Sequence, residues 1–443
     1  MLKKRNIYLA ILLVLLLVAS LCIGCAQENG EDDETADSRK AYSGTTLRLL
    51  LKTGYETEAI TKYVDEFEEA TGIKVEYEVY DEPTVRNKFI LDCTGQTGSY
   101  DVVTTQFWYM PEYLRAGWLE PLDEYAHDKE WYSAGNIPEG LLGAYRDAEG
   151  KLYAVPVSTT GGVLIYRQDL LDKHDLKVPR TTDELLEVAR ELKAKEPEVY
   201  PFSARGDSSS ASFGTSVGWA WAYGARVMDE DLNVTVDTPE MKKAMTDFVE
   251  LMGQLAPPDQ ASIGWDVMSE LYRQGDVALN FEMSGFPSVY ANPEVSTVSD
   301  KIGVTLVKGP ADNYAQWMYG EGLGISKLSK NKEAAWLFIQ WRTSLETALK
   351  EVADEIRLDF PDSRVYDSEI YAEKTKGKEF FTDLIPDILA SVDAAYWPNI
   401  AEFEQVAEAF QQQISLAIAG KQSVDQALAN AQEEIEKIVA AVE

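Results

Sequence analysis

Apolar residues follow two different periods at the start of the folded part of the chain. Residues 47–51 (LRLLL) are mostly apolar and residues 74–80 alternate between apolar and polar side chains, so both predict β-strands. Between them, apolar residues recur at helical spacing, with Gly72 as a stop signal: Ile60, Tyr63, Val64 and Phe67. A strand, a helix and a strand in this order predict a βαβ unit and hence a parallel sheet with a right-handed crossover.

The rest of the chain carries further strand and helix signals. Residues 100–104 (YDVVT) predict another buried strand, and residues 331–341 are amphipathic with helical spacing. Residues 401–419 predict a helix that stops at Gly420. Three N-caps open further helices: Thr181 with Glu184 in a capping box, Thr238 before Pro239, and Ser423 before the last helix. The predicted class is α/β, with more than one sheet.

The N-terminus carries an export signal. Three basic residues are followed by an uncharged, leucine-rich segment over residues 6–27. Residues 21–25 (LCIGC) resemble a bacterial lipobox with Cys25 as the lipidated residue, although Cys22 stands where the pattern usually has Leu. We therefore expect a signal peptide over residues 1–24 and a flexible acidic linker over residues 25–45. An uncleaved signal anchor is the alternative, and both place the body outside the cytoplasmic membrane.

Composition narrows the possible partners. The chain has 443 residues, with 75 Asp and Glu against 41 Lys and Arg, and its formal net charge is −34. Loss of the three basic residues with the signal peptide would make the charge −37. Such a charge repels nucleic acid and disfavours anionic ligands. Two His and three Cys offer few metal ligands, so we expect no metal or cofactor, and a buried structural role for Cys93.

Two motifs look catalytic but lack the context that the chemistry needs. Residues 214–218 match the nucleophile-elbow pattern G-x-S-x-G, yet no buried strand precedes Ser216 and both His127 and His174 come earlier in the chain. Residues 320–325 begin like a dinucleotide-binding loop but have Ile where the third Gly belongs. We therefore expect no catalytic residues and no enzymatic activity.

Eight short segments carry a family resemblance in a fixed order along the chain. They are YDVV (100–103), YLRAGWLEPLDEY (113–125), GKLYAVP (150–156), LIYRQD (164–169), PRTTDELL (179–186), QGDVAL (274–279), GLGISKLSKNKEAAWLF (322–338) and GKQSVDQAL (420–428). Together they resemble the sugar-binding family of extracellular solute-binding proteins of ABC importers, which includes the maltodextrin-binding proteins. Thr182 replaces the family's usual Trp.

The resemblance implies a two-lobed periplasmic-binding-protein fold of type II, with a ligand cleft between two α/β lobes. Three hinge crossovers are expected, near residues 156–161, residues 319–324 and within residues 356–366. The implied division is 46–158 and 323–357 for lobe 1, and 159–322 and 358–443 for lobe 2, which also holds the C-terminal helices. Ligands of such folds are enclosed by hinge closure.

Candidate ligand-binding residues follow the predicted strands and crossovers. Aromatic rings match the C–H faces of sugars and planar polar groups match their hydroxyls. The candidates are Tyr55, Glu56, Trp108, Tyr109, Arg205, Trp219, Glu282, Ser284, Phe286, Glu321 and Trp397. Core packing remains open for Trp108 and Trp219. The alternative to a binding role is a surface ion pair for Arg205 and a solvated loop position for Glu321.

The function that the resemblance implies is capture of a mono- or oligosaccharide for an ABC importer. The expected partners are a membrane permease and the membrane itself through the lipid anchor, with the protein as a monomer. A surface-anchored polysaccharide-active enzyme and a receptor for a non-sugar solute such as a polyol are the alternatives. Asn233 begins a glycosylation sequon, which matters only in a host that glycosylates exported proteins.

Overall fold

The computed structural model describes residues 38–229, 231–391 and 396–441. The predicted signal peptide, Cys25 and most of the predicted linker lie outside these residues. Among the described residues, no helix combines the length and the apolar character needed to cross a bilayer.

Eight β-strands occur in the described part of the chain. They are β1 Thr46–Lys52, β2 Lys74–Tyr80, β3 Val102–Gln106, β4 Ala154–Arg167, β5 Tyr200–Ser203, β6 Val277–Met283, β7 Ile302–Thr305 and β8 Met318–Ile325. Their order is β2-β1-β3-β8-β4-β6-β5, and β7 also pairs with β4. β1 pairs in parallel with both β2 and β3, which confirms the predicted βαβ unit, whereas β8 runs antiparallel to β3.

Two long strands carry the chain between two α/β bodies. Residues 154–161 of β4 pair with β8, and residues 162–167 pair instead with β6 and β7. A β-bulge between Pro156 and Ser158 lies in the shared stretch. We call the body around β1–β3 lobe 1 and the body around β5–β7 lobe 2. The first two predicted crossovers, 156–161 and 319–324, fall within these two strands.

Helices surround both bodies. They are α1 Tyr55–Thr71, α2 Glu82–Gly95, α3 Met110–Ala116, α4 Glu139–Leu142, α5 Gln168–Lys173, α6 Thr182–Lys195, α7 Ser210–Ala222, α8 Pro239–Gln254, α9 Trp265–Gln274, α10 Phe286–Tyr290, α11 Lys332–Arg342, α12 Leu345–Ala353, α13 Glu369–Lys374, α14 Glu379–Thr382, α15 Ile385–Ser391, α16 Phe403–Ile418 and α17 Val424–Ala440. Short 3₁₀ turns connect several of them. The C-terminal helices α16 and α17 pack on α8 of lobe 2, and α16 also contacts α7.

The predicted helix signals are confirmed at the ends of the helices. Gly72 ends α1 with a φ of 72°, a left-handed conformation that glycine adopts without strain. Thr181 and Glu184 form a reciprocal capping box at the start of α6. Thr238 and Ser423 accept backbone N–H groups at the starts of α8 and α17. The local sequence therefore determines where these helices begin and end.

The interior of lobe 1 includes Cys93. Its side chain packs in the apolar core, and burial raises the pKa of its thiol to about 12. A protonated, enclosed thiol is unreactive.

The segment after α12 stays with lobe 1 for longer than the predicted third crossover allows. Arg364 donates to the Ser133 hydroxyl at 2.7 Å, and α13 packs against α12. α14 instead contacts β7 of lobe 2. These contacts favour a third crossover between α13 and α14, later than residues 356–366. The division of the chain into lobes stays a prediction.

Candidate ligand-binding site

The carboxyl ends of three parallel strands meet at one edge of lobe 1. Lys52 ends β1, Glu82 follows β2, and Trp108 follows β3. Glu56 lies in the first turn of α1, just after β1. Open α/β sheets bind ligands beyond the carboxyl ends of their strands. Charged and aromatic side chains therefore gather where this fold favours a ligand.

Lys52 and Glu321 form a buried ion pair at the base of this edge. Glu321 is brought there because β8 pairs with β3, with Glu321 opposite Gln106. The Tyr319 hydroxyl donates to Glu321 Oε1 at 2.8 Å. Burial and the nearby charge of Glu56 raise the pKa of Glu321 to about 7, although Lys52 and Tyr319 oppose them. Glu321 is thus a buried acid at the cleft, not the solvated loop acid that the sequence left open.

Glu56 connects the cleft edge to a buried chain of arginines. Arg357 Nη1 lies 4.0 Å from Glu56 Oε1, and its Nε donates to Glu351 at 2.8 Å. Arg342 shares Glu351, at 2.7 Å, and donates to the backbone carbonyl of Glu56 at 3.1 Å. Burial opposes the ionisation of Glu56, but Arg357 and Lys52 outweigh it and lower the pKa of this carboxyl. Arg357 Nη1 has no hydrogen-bond partner among the described residues.

An aromatic stack crosses from one lobe to the other. The rings of Trp108 in lobe 1 and Trp397 in lobe 2 lie 5.7 Å apart with an interplanar angle of 15°. Phe107 and Phe213 pack edge-on against Trp397, at 5.1 Å and 5.6 Å. Trp397 is 8% exposed, and its indole N–H meets no acceptor among the described groups. The two residues are therefore both buried and at the interlobe cleft.

Two carboxyl groups lie near Tyr109 beside this stack. Glu82 of lobe 1 accepts the Tyr109 hydroxyl at 3.0 Å, and Glu404 lies in the first turn of α16. Burial raises the pKa of Glu82, and the charge of Glu404 adds to the effect. Burial likewise raises the pKa of Glu404, although Tyr109 opposes it. One oxygen of Glu404 has no hydrogen-bond partner in the described part of the chain.

Unsatisfied hydroxyls line the strands that join the lobes. The side chains of Thr159 and Thr160 in β4, and of Tyr145 nearby, are buried without a hydrogen-bond partner among the described residues. Buried polar groups without partners are rare in native proteins and call for a ligand or water. The backbone also approaches closely here, since a Cβ on Gly161 would lie 2.5 Å from Ile388.

Lobe 2 contributes a buried ion pair that is complete in itself. Arg205 follows β5 and donates from Nε and Nη2 to the Glu282 carboxylate at 2.6–3.1 Å. Arg205 therefore pairs with an acid, as one of the two predicted alternatives had it, but the pair lies in the interior and not on the surface. Phe286 lies 5.9 Å from the guanidinium, and Ser284 bonds through its N–H to the Gly161 carbonyl at 2.8 Å.

Trp219 lies away from the cleft. It is fully buried in lobe 2, where its indole N–H donates to the Ala244 carbonyl at 3.0 Å. Its ring packs against Phe248 and Phe281. Trp219 is therefore a core residue of lobe 2, and the structure does not bring it together with the other candidates. The side chain of Tyr55 lies outside what the structure describes.

The motif at residues 214–218 lies inside helix α7. The Ser216 hydroxyl donates to Gln411 at 2.8 Å in the interior. His127 stacks on Tyr132, and His174 pairs with Glu196. The serine therefore has no histidine beside it among the described residues. Within the same residues, no cluster of three or more His, Cys, Asp or Glu has the geometry to hold a metal ion.

Several cleft residues were missed by the sequence analysis. Lys52 and Glu82 could have been found, because each stands at the carboxyl end of a predicted strand. Arg357, Asp359 and Glu404 lie in a loop and on a helix, where no local pattern marks a binding role. Asp359 comes close to Arg357 and Glu56, and burial raises its pKa to about 7 even though Arg357 opposes the shift.

The cleft is closed, whereas a larger concavity lies elsewhere. The stacked rings of Trp108 and Trp397 close it between the lobes, and a separate cavity of about 20 Å³, about the room for one water, lies beside Arg342 and Arg357. A groove of about 770 Å³ lies between residues 254–262 and helix α16 in lobe 2. None of the unpartnered buried polar atoms found in the described residues belongs to its lining. The closed cleft is therefore the candidate site.

Two α/β lobes that close over buried, unsatisfied polar groups define a protein that encloses a small solute. Residues 53–348 match the family described as bacterial extracellular solute-binding protein. The match spans more than half of the sequence, and the chain belongs to this family.

Similar proteins include binding proteins for polyols. The mannitol-binding protein of Pseudomonas aeruginosa is 28% identical over 389 residues, covering 83% of this chain and 87% of the relative. The crystal structure of an ABC transporter solute-binding protein from Agrobacterium vitis S4, with bound D-mannitol, is 28% identical with a TM-score of 0.76, covering 90% of this chain and 99% of that one. A solute-binding protein from Agrobacterium radiobacter K84 in complex with ribitol is 26% identical with a TM-score of 0.76, covering 89% and 99%.

These similarities confirm the two-lobed α/β fold and the family that the motifs predict. The two solved structures are solute-binding proteins of ABC transporters, and the matched family is described as extracellular, which places this chain among extracytoplasmic binding proteins.

Proposed function

We propose that this protein captures a small polyhydroxylated solute, a polyol or a monosaccharide, by closing its two lobes around it. The observation that carries the proposal is the set of buried polar groups without partners between the lobes: Tyr145, Thr159, Thr160, Arg357 and Trp397. Each can donate to or accept from a ligand hydroxyl. The similarity to mannitol- and ribitol-binding proteins favours the same ligand chemistry here.

Closure is the step that supplies most of the binding free energy in this proposal. Ligand hydroxyls would satisfy the hinge residues Thr159 and Thr160, while the C–H groups of the ligand contact the Trp108 and Trp397 rings. Burying an unsatisfied hydroxyl costs about 1–3 kcal/mol, so a ligand that satisfies several of them favours the closed state strongly. An oligosaccharide was the other predicted ligand, and the mannitol- and ribitol-bound relatives favour the smaller ligand.

In the cell, the protein would deliver its ligand to the permease of an ABC importer and catalyse no reaction. Lipidation at Cys25 would hold it at the outer face of the membrane, with the acidic linker as a tether and the monomer as the working form. These statements extend the predictions from the N-terminal sequence and the family.

Thermal denaturation with a panel of D-mannitol, ribitol, D-glucose and maltose tests the proposal. A ligand at about 100 times its Kd raises the free energy of unfolding by about 2.7 kcal/mol, which gives a clear rise in Tm. We expect a rise with at least one polyol or monosaccharide and recovery of the ligand unchanged. No rise with any of them would contradict the proposed ligand class, and conversion of a ligand would contradict the binding-only role.

Trp397→Ala locates the site once a ligand is found. Removing a ring that closes over the ligand should weaken binding by about tenfold or more, measured by titration calorimetry. Trp221→Ala is the matched control, because Trp221 stacks on Tyr396 at 5.5 Å, within lobe 2. Equal affinity of the Trp397→Ala variant and the unaltered protein would remove Trp397 from the site.

A further inference from the structure

The buried cations of the cleft are already matched by acids. Lys52 pairs with Glu321, and the arginines Arg342 and Arg357 both bond to Glu351. Glu56 lies 4.0 Å from Arg357 and compensates the second guanidinium charge. Three cations and three carboxylates thus account for one another.

Three further carboxyl groups at the cleft have no such partner. They are Glu82, Asp359 and Glu404, which we call the cleft acids. No Lys, Arg or His nitrogen among the described residues lies within ion-pairing distance of any of them. They come from three separate parts of the chain: the start of α2, the loop after α12 and the start of α16. The enclosed site therefore carries an excess of negative charge.

The charged groups around the cleft acids do not remove this excess. Glu404 faces Arg86, but Arg86 is held by Glu112 at 2.8 Å, and Glu408 adds a like charge. Glu82 lies near Lys52, which is held by Glu321. Burial raises the pKa of all three cleft acids, and the nearby cations Lys52, Arg357 and Arg86 only partly oppose it.

The aromatic stack is the second observation that points to a cation. Trp108 stacks on Trp397 and also adjoins Tyr109, whose hydroxyl bonds to Glu82, so the stack lies next to a carboxylate. Aromatic rings attract cations, and more so when the site excludes water. The unpartnered oxygen of Glu404 adds an acceptor that no described donor fills.

We infer that the ligand carries a protonated amine in addition to its hydroxyls, as an amino sugar or an aminated polyol does. The ammonium group would lie among the cleft acids and against the indole faces, while the hydroxyls bond to the hinge residues. This inference rests on the proposed function, since it takes the same cleft as the ligand site. The net charge of −34 would attract such a cation at long range.

A comparison of matched ligands tests the inference. D-Glucitol and D-glucamine differ only by a terminal hydroxyl or amine, and D-glucose and D-glucosamine form a second pair. Titration calorimetry near neutral pH should give about tenfold or tighter binding for the amine of at least one pair, in the lower range of coupling between close charges.

Two variants assign the preference to the cleft acids. Glu404→Gln and Asp359→Asn should each reduce the ratio of the two affinities by about threefold or more. Glu408→Gln is the matched control, because Glu408 lies one turn further along α16 and is exposed. The use of two variants from different elements keeps the test valid if one of them fails to fold.

The possible outcomes separate this inference from the proposed function. Binding of a neutral polyol or sugar as tightly as its amine would overturn the inference and leave the proposed function standing. An amine preference that both variants retain would overturn the role of the cleft acids. Binding of none of the four ligands or the earlier panel would overturn the proposed function and the inference with it.

Discussion

Carboxyl groups in two regions of this molecule have opposite surroundings. Glu282 in lobe 2 and Glu351 in lobe 1 are fully buried, and each accepts hydrogen bonds from guanidinium groups at 2.6–3.1 Å. Asp359 and Glu404 lie at the cleft and have no cation within ion-pairing distance among the described residues. The two pairs differ in their partners and also in depth, because Asp359 and Glu404 are only partly buried.

This comparison separates structural charges from functional ones. A buried ion pair adds little net stability, but removal of one partner is costly because the other charge stays buried. An uncompensated buried acid is a cost in the ligand-free protein, and that cost is relieved only by a proton or a ligand. Conversion of a carboxylate to its amide should therefore destabilise the first region and stabilise the second.

The largest effect is expected from Glu351→Gln. The substitution leaves Arg342 and Arg357 buried with one charge partner fewer for two guanidinium groups, so the free energy of unfolding should fall by about 4–5 kcal/mol. Urea denaturation measures it. Glu346→Gln, on the exposed face of the same helix α12, should change the free energy of unfolding by less than about 1 kcal/mol. A similar loss for both variants would show that the helix, not the buried cluster, responds.

A slightly smaller loss is expected from Glu282→Gln. Arg205 would keep its buried position without a counter-charge, at a cost of about 3 kcal/mol measured by the same urea denaturation. Because this ion pair is complete without a ligand, we expect the affinity for the cleft ligand to change much less than the stability. A large affinity loss with unchanged stability would instead place Arg205 and Glu282 in the ligand site, as the sequence analysis expected.

The fold was predictable because its signals are local. Gly72, the Thr181 capping box and the alternation in β2 each depend on a few neighbouring residues, and all appear where expected. The third crossover was less predictable, since the position of residues 363–375 depends on contacts with Ser133 and α12, far away in the sequence.

The site was only partly predictable, because burial and binding have the same sequence signature. Trp219 and Trp397 both stand in aromatic segments, yet one donates to Ala244 in a core and the other crosses between the lobes without an acceptor. Only the long-range partners distinguish them. The same holds for Glu404, whose neighbours Tyr109 and Arg86 belong to the other lobe.

In contrast to the two glutamate substitutions, Asp359→Asn is expected to raise the free energy of unfolding. The pKa of Asp359 is about 7 in the folded protein and near the ordinary value of 3.8 in the unfolded chain. The folded state therefore binds the proton more tightly, and the stability present at low pH is lost as the pH rises through 7. Asn cannot ionise, so the ligand-free variant should gain about 1 kcal/mol over the unaltered protein above pH 7.

The gain should shrink as the pH falls from 7 and vanish below 3.8, where the aspartate of the unaltered protein is protonated in both the folded and the unfolded state. Thermal melts of the ligand-free proteins across this pH range measure the difference. Glu321 also has a pKa of about 7, so its ionisation lowers the stability of both proteins as the pH rises. This contribution cancels when the two proteins are compared. Destabilisation by Asp359→Asn at high pH would mean that the carboxylate has a cation partner in solution.

The smallest effect is expected where an ion pair is exposed and crosses the lobes. Arg115 of α3 donates to Glu402, beside α16, at 2.6 Å, and the arginine side chain is 55% exposed. Such pairs contribute about 0.2–1 kcal/mol and weaken with salt. Because this one forms only when the lobes are closed, Arg115→Ala should weaken ligand binding by less than about fivefold, and less again at high salt.

Arg190→Ala is the matched control for this substitution. Arg190 bonds to Glu250 at 2.6 Å with similar exposure, but both residues belong to lobe 2, so their distance does not change on closure. Calorimetric titrations at low and high salt should therefore show a salt-dependent loss of affinity for Arg115→Ala alone. Equal affinities for the two variants would mean that this contact does not stabilise the closed state, and that closure depends on the aromatic stack and the ligand.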